Sequence, residues 1–237
     1  MDRMSSSSER ETLLKTAADR LNPSITNPNF LVLRSRRRIF QKWISSLPDN
    51  PLRVLDIGGR YQPYRPLLGG RVSQYVAVDV LRTALVDVVG DGEFLPFAAN
   101  AFDVVIATQV FEYFSRPHLA AERIHASLKP GGILLMSVAA CAPRFVDEEC
   151  WRFTPRGIRS LLAPFSRIEI APEVTSLGGL LRTINLGMHH YSHFGPLRRG
   201  YELTICPLLN AIGLVLEGLN VTKNDQFTSN YSVLAWK

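Results

Sequence analysis

Cysteine is scarce in this chain of 237 residues: Cys141, Cys150 and Cys206 are the complete set. An odd count argues against a disulfide framework, and no two stand at the short spacing of a metal-binding pair, so a reducing, cytoplasmic setting is expected. Long apolar runs are also missing. No stretch approaches the roughly 18 consecutive apolar residues of a spanning helix, which leaves at most a peripheral contact with a membrane. The amino terminus carries Asp2, Arg3, Glu9, Arg10 and Glu11 with no apolar segment behind them, unlike a signal peptide. Basic residues do not alternate with aromatics along the chain; they bunch at Arg34, Arg36, Arg37 and Arg38, which reads as a solvated helix face and not as a nucleic-acid surface. His189, His190 and His193 have no cysteine pair or helical metal motif beside them, so no metal is expected.

What is present describes an ordinary globular protein. Hydrophobic residues make up 46% and charged residues 20%, and the length suffices for one sizeable core. The formal charge of +6 fits an anionic partner without requiring one.

The most informative segment is Leu52-Arg53-Val54-Leu55-Asp56-Ile57-Gly58-Gly59, which reads as a buried strand ending in a tight turn. Tyr75-Val76-Ala77-Val78-Asp79 repeats the pattern of an apolar strand closed by a carboxylate. An acid at the end of a second strand in an α/β unit commonly accepts hydrogen bonds from a ribose. Together the two strand ends suggest a nucleoside-containing cofactor at the carboxyl edge of a parallel sheet.

Further along, Phe102–Ala107 and Ile133–Val138 read as central parallel strands, and Arg71–Asp79, Arg167–Ile170 and Tyr231–Trp236 as further strands. Helices are expected over Glu9–Leu21, Phe30–Leu47 and Arg116–Leu128, and from Thr154-Pro155 to Leu162 with the threonine as N-cap. Residues 1–10 read as a mobile tail. The fold class is therefore α/β: a Rossmann-like, seven-stranded, mainly parallel sheet with helices on both faces and an inserted helical or loop segment before the last strand. The expected division is a tail and helical cap over 1–51, a cofactor-binding core over 52–174, a lid or association insert over 175–230 and a final core strand over 231–237. Within the insert Leu203–Leu219 is apolar, and a helix packed on the core, a homodimer contact and a membrane-surface contact all fit it.

In these motifs the chain resembles class I S-adenosylmethionine-dependent methyltransferases, in particular the type 11-like and glycan-associated members. The resemblance runs in order through Val54-Leu55-Asp56-Ile57-Gly58-Gly59, Asp79, Asp91-Gly92-Glu93-Phe94-Leu95-Pro96-Phe97, Phe102–Gln109 and Leu128-Lys129-Pro130-Gly131-Gly132. It implies S-adenosyl-L-methionine as cofactor, held by Asp56, Gly58, Gly59, Asp79, Asp91 and Gln109. Asp79 would meet the ribose hydroxyls and Asp91 the adenine amine. A structural reading of Asp56, organising the glycine turn without touching cofactor, stays open. Two departures stand out: Arg60 and Gln62 occupy a turn where the family has small residues, and the family's Glu-His pair is Glu112-Tyr113 here, which leaves the general base unassigned.

Methyl transfer needs a nucleophile held in line with the sulfonium methyl, so positioning supplies much of the catalysis. His118, near the start of the helix after the fourth strand, is the candidate base. Arg60, Tyr113, Trp151, Arg152 and His190 are the candidate acceptor contacts. The expected reaction is O-methylation of a sugar, glycan precursor or other small molecule; a methyltransferase fold that binds cofactor or a partner without turnover is the alternative.

Overall fold

In the computed structural model, which describes residues 6–144, 146–192, 195–219 and 224–237, two helices precede the first strand. They are α1 (Ser6–Leu21) and α2 (Phe30–Ser45). Strands β1 (Leu52–Ile57), β2 (Val72–Asp79), β3 (Val88–Val89) and β4 (Phe102–Thr108) lead to α3 (Pro117–Ser127), β5 (Leu128–Ala139), α4 (Pro155–Leu161) and β6 (Arg167–Pro172). Helices α5 (Ser176–Tyr191), α6 (Gly195–Leu203) and α7 (Ile205–Gly218) fill the connection to β7 (Asn230–Trp236).

The strands form one seven-stranded sheet in the order β3-β2-β1-β4-β5-β7-β6. All pairs are parallel except those of β7, which runs antiparallel to both β5 and β6. From β1 the chain winds outward first to β2 and later to β4, so the strand order reverses between them. A crevice opens at the carboxyl ends there, as in other doubly wound sheets.

Alternation along the strands sends side chains to two cores. Leu55, Ile57, Val105, Ala107, Leu134 and Met136 pack on one face with Ile124 of α3 and Leu161 of α4. Val54, Val104, Ile106, Ile133 and Leu135 pack on the other with Phe40, Trp43 and Ile44 of α2. Each such fully buried side chain contributes roughly 1.5–3 kcal/mol of transfer free energy, so α2 is an integral layer.

Three expectations need correction. The helix expected from Glu9 already begins at Ser6, so only residues 1–5 of the supposed tail lie outside the described chain. The Lys129–Gly132 segment does not separate helix from strand. Leu128 pairs with Phe102, the register then shifts, and Gly131 at φ +75° carries the chain through the irregularity into Ile133. The third concerns the arginine run. Arg38 is exposed, but Arg36 is buried, 4% exposed, among Val32, Phe40 and Trp43. Its Nε and Nη2 donate to the two carboxylate oxygens of Glu173 at 2.7 and 2.9 Å. Glu173 also accepts from Ser137 Oγ (2.7 Å) and Ser232 Oγ (2.9 Å), so one carboxylate ties α2 to β5, β6 and β7.

The insert is helical. Cys206, Asn210 and Gly213 of α7 face inward: Asn210 Nδ2 donates to the carbonyls of Ile25 and Asn27 at 2.7 and 2.9 Å. The stretch Gly195–Gly218 is long and apolar enough, by length and composition, to cross a membrane. Here it divides at Thr204 and is bonded along one face to the rest of the fold, while Leu208, Ile212 and Val215 are exposed on the other.

Candidate functional site

β1 ends in the turn that shapes the crevice. The amides of Gly58 and Gly59 both donate to the Val78 carbonyl, at 2.8 and 3.1 Å, which pins the turn to β2. Gly58 sits at φ +75°, a conformation glycine adopts without steric cost. A Cβ on Gly59 would stand 2.7 Å from the Asp56 carbonyl oxygen, so this glycine is needed for packing. Beside the turn lies a cleft of about 540 Å³, within the range of about 300–1,000 Å³ for small-molecule sites.

Gly58, Arg60, Asp79, Asp91, Gln109 and Tyr113 line this cleft together. Asp79 is buried at the end of β2 and accepts from the Leu81 amide at 3.0 Å. Asp91 is exposed and accepts from the Glu93 amide at 2.9 Å, capping a short helical turn over Gly92–Phe94. Gly92 permits that turn: a Cβ there would meet the Phe114 ring at 2.7 Å. Gln109, just past β4, holds φ at +53°, a strained conformation for a residue with a side chain and one that costs roughly 1–3 kcal/mol. Its amide donates to the Ser137 carbonyl at 2.8 Å, which fixes the strained residue against β5. Arg20 of α1 also reaches the cleft, its guanidinium 4.2 Å above the Tyr61 ring. The cap thus supplies a site residue that no local signal announced.

Asp56 and Gly59 lie behind the turn and not in the cleft. Asp56 is buried and accepts from the Tyr75 hydroxyl at 2.6 Å. Burial pushes its carboxyl up to about 7, opposed by the Tyr75 hydrogen bond and reinforced by the charge of Asp79. This geometry favours the structural reading of Asp56, and the sign of its pH effect follows. An unfolded Asp56 ionises near the ordinary aspartate value of 3.8, whereas the folded one stays neutral until about 7. Between those values rising pH favours the unfolded chain, by up to about 4 kcal/mol over the interval at ~1.4 kcal/mol per unit. Asp56→Asn, which can still accept from Tyr75, should match the wild type in stability near pH 4 and exceed it by a few kcal/mol at pH 8. Denaturant melts at the two pH values check this; an equal difference at both would contradict it.

Past Gln109 and Tyr113 lies a second, more enclosed chamber of about 80 Å³. Glu112, Glu149, Arg152, Arg182 and Asn230 are the other polar residues of its wall. Glu112 is 2% exposed. Its Oε1 accepts from the Ala139 amide and its carbonyl accepts from the Cys150 amide at 2.7 Å, while Oε2 has no hydrogen-bond partner among the described residues. Arg152 pairs with Glu149 and donates to the carbonyls of Ala142 (3.3 Å) and Pro143 (3.0 Å). Arg182 enters from α5, where its Nη2 donates to Asn29 Oδ1 at 2.8 Å; burial lowers its pKa to about 10. The insert therefore closes one side of the chamber. Asn230 fits best with its amide oxygen accepting from Arg36 Nη2 at 2.6 Å, which links the chamber wall to the buried Arg36–Glu173 pair.

Besides Asp56 and Gly59, three expected site residues are not brought to either cavity. His118 is exposed in the first turn of α3, because Pro117, Ala120 and Ala121 take the buried side of that helix. His190 is exposed on α5, where its neighbour His189 pairs with Glu202 at 3.0 Å; His193 lies outside the described residues. Trp151 is largely exposed and donates its indole N–H to the Phe114 carbonyl at 2.7 Å, bracing the loop beside the chamber. Glu149, Arg182 and Asn230, in contrast, reach the chamber from distant segments and had no motif to mark them. Among the described residues no group of three or more His, Cys, Asp or Glu side chains could hold a metal ion.

Comparison with known proteins bears on the same region. A family model described as "Methyltransferase domain" matches residues 32–167, more than half of the chain. Human mitochondrial arginine-hydroxylase NDUFAF5 is 30% identical over 103 residues, which span 39% of this chain and 30% of that protein. The aligned part is thus less than a third of the relative's length. Among solved structures, phosphoethanolamine N-methyltransferase 2 of Haemonchus contortus, in complex with S-adenosyl-L-methionine, superposes with a TM-score of 0.52 at 15% identity, over 93% of this chain and 60% of that one. An S-adenosylmethionine-dependent methyltransferase from Archaeoglobus fulgidus does so with a TM-score of 0.52 at 13% identity, over 94% and 99%. The [4+2]-cyclase SpnF shares the fold as well, with a TM-score of 0.52 at 19% identity over 85% and 80%. With that model spanning residues 32–167, and with the strand order and glycine turn described above, this chain belongs to the methyltransferase domain family.

Proposed function

We propose that this protein methylates a hydroxyl of a small polar acceptor, with a sugar or glycan-precursor hydroxyl as the first choice. The observation that carries the reading is the chamber beyond Gln109 and Tyr113, which shares those two residues with the cofactor cleft. Its carboxylates, guanidinium groups and amides offer donors and acceptors at several angles, as a polyhydroxylated ligand requires. A volume of about 80 Å³ holds roughly three waters at ~30 Å³ each. Only the reacting end of an acceptor enters it, and the remainder lies in the wider cleft mouth beside Tyr113.

The cleft residues fit the cofactor. Asp79 and Asp91 present acceptors for ribose hydroxyls and the adenine amine, and Gly58 lets backbone approach closely where a Cβ would come within 3.3 Å of Val110. Arg20 and Arg60 place positive charge at the same cleft, suited to a carboxylate. When bound, S-adenosylmethionine supplies an electrophilic methyl group. The protein's part is to orient the acceptor oxygen and exclude water, the first through Gln109, Tyr113 and the chamber wall, the second through α5 acting as a lid.

Asp79→Ala should weaken S-adenosylhomocysteine binding by about 1–3 kcal/mol, the scale of a buried donor losing its acceptor; calorimetry measures this, and unchanged affinity would remove Asp79 from the cofactor site. The acceptor is tested by methyl-transfer assays across sugar nucleotides, lipid-linked glycans and phenols, read by product mass. Activity confined to non-carbohydrate acceptors would overturn the sugar choice, and the absence of any methylated hydroxyl would overturn the reading as a whole.

A further inference from the structure

An acceptor hydroxyl must lose its proton as the oxygen is alkylated, and the histidine expected to take it, His118, lies outside both cavities. We propose that Glu112, which lines the chamber, is the catalytic residue that takes this proton, through the carboxylate oxygen that has no hydrogen-bond partner among the described residues. The inference rests on the hydroxyl-acceptor reading above.

The local geometry separates the two oxygens of this carboxylate. Oε1 is held by the Ala139 amide, and the Glu112 carbonyl accepts from the amides of Cys150 and Trp151, so backbone bonds on both sides fix the residue. Oε2 is buried with no hydrogen-bond partner among the described residues, in a wall shared with the chamber. Leaving a buried carboxylate oxygen without a donor costs free energy, and a hydroxyl entering the chamber would supply that donor. In the step itself the acceptor O–H bond breaks and the proton passes to Oε2. The new O–CH3 bond forms as the S–CH3 bond breaks, and S-adenosylhomocysteine and protonated Glu112 remain; the proton then leaves to water through the cleft.

The ionisation of the residue suits the task. Burial raises the Glu112 carboxyl to about 7, while the Ala139 amide, the residue's own backbone amide and the positive charges of Arg36 and Arg152 hold it from rising further. The other charged and titratable groups lining the chamber with it are Tyr113 from the same helical turn, Glu149 from the loop after β5 and Arg182 from α5. A base with this value is about half ionised at neutral pH, near the optimum for general-base catalysis.

Glu112→Gln tests the assignment, because the amide oxygen keeps the bond from Ala139 while the base is lost. With the best hydroxyl acceptor from the product-mass assays, turnover should fall about 10²–10⁴-fold, and S-adenosylhomocysteine affinity should hold. The rise of kcat/KM with pH through about 7 should vanish. The loss should also shrink for a phenol relative to an alcohol, since a more acidic hydroxyl needs less help; a purely structural role would penalise both alike. Hydroxyl methylation that survives Glu112→Gln with its pH profile intact would overturn this assignment and leave the functional reading standing. An equal penalty for phenol and alcohol would also overturn it. If no hydroxyl is methylated at all, the functional reading falls and this inference falls with it.

Discussion

Arg36→Met should cost about 3–5 kcal/mol of stability, because it strands the buried carboxylate of Glu173. At roughly 2–4 °C per kcal/mol for a chain of this size, the melting temperature should drop by about 10 °C. The size of the effect follows from what the pair joins. Glu173 is 1% exposed and takes four hydrogen bonds, two from Arg36 and one each from Ser137 and Ser232. Removing the guanidinium leaves two neutral hydroxyls to solvate a buried charge. Removing both charges is a different matter: Arg36→Met with Glu173→Gln avoids the orphaned carboxylate and should recover a large part of the loss, as replaced buried ion pairs often do. Thermal melts of the single and double variants decide this, and a single variant as stable as the wild type would show that the pair contributes nothing. Because Asn230 bonds to Arg36 and also lines the chamber, the single variant should lose turnover in addition to stability.

Gly179→Ala should uncouple α5 from the core and abolish most turnover with little change in cofactor affinity. In helix interiors alanine is favoured over glycine by about 1 kcal/mol, so propensity alone predicts stabilisation. Packing reverses that sign. A Cβ on Gly179 would overlap the Phe227 carbonyl oxygen and come within 3.2 Å of the Ser229 amide nitrogen, both backbone atoms just before β7. Backbone cannot swing aside as a side chain can, so α5 must move away; overpacking of this kind costs about 1–3 kcal/mol or more. Arg182 lies one turn further along the same helix and closes the chamber, whereas the cofactor cleft takes no residue from α5. Steady-state kinetics should therefore show a fall in kcat/KM for acceptor with the S-adenosylhomocysteine dissociation constant nearly unchanged. A variant with wild-type turnover would contradict the role of α5 as a lid.

The parts of this protein that were legible from sequence are those in which local pattern and tertiary role coincide. β1 and β4 are buried on both faces and so are written as near-continuous apolar runs, and the glycines after β1 and the acid closing β2 mark where the crevice begins. β3, with only Val88 and Val89, is too short to leave a periodic signal. In α7, Pro207 and Gly213 are helix-breaking residue types inside an apolar helix. The proline falls in the first turn, where a missing N–H costs nothing, and a Cβ on the glycine would stand 2.5 Å from Leu31 of α2. Arg36 was legible in principle: it sits four residues from both Val32 and Phe40, on the apolar stripe of α2, and a charge at that register calls for a buried partner. Its proximity to three other arginines concealed this. The chamber was hidden for a different reason. Glu112, Glu149, Arg152, Arg182 and Asn230 span more than a hundred residues of sequence and meet only through the sheet order and the packing of α5, so no local spacing encodes them. His118 misled because a loop after β4 does line such a crevice, yet the helix that follows turns this particular side chain to solvent.

A calorimetric titration with S-adenosylhomocysteine tests most directly the proposed division of the site into a cleft that holds cofactor and a chamber that handles the acceptor and its proton. Wild-type protein and Glu112→Gln should bind with the same affinity, and Asp79→Ala should bind about ten-fold or more weakly, as a loss of 1–3 kcal/mol requires. No binding by folded wild-type protein at millimolar ligand, or a loss in Glu112→Gln as large as that in Asp79→Ala, would contradict it.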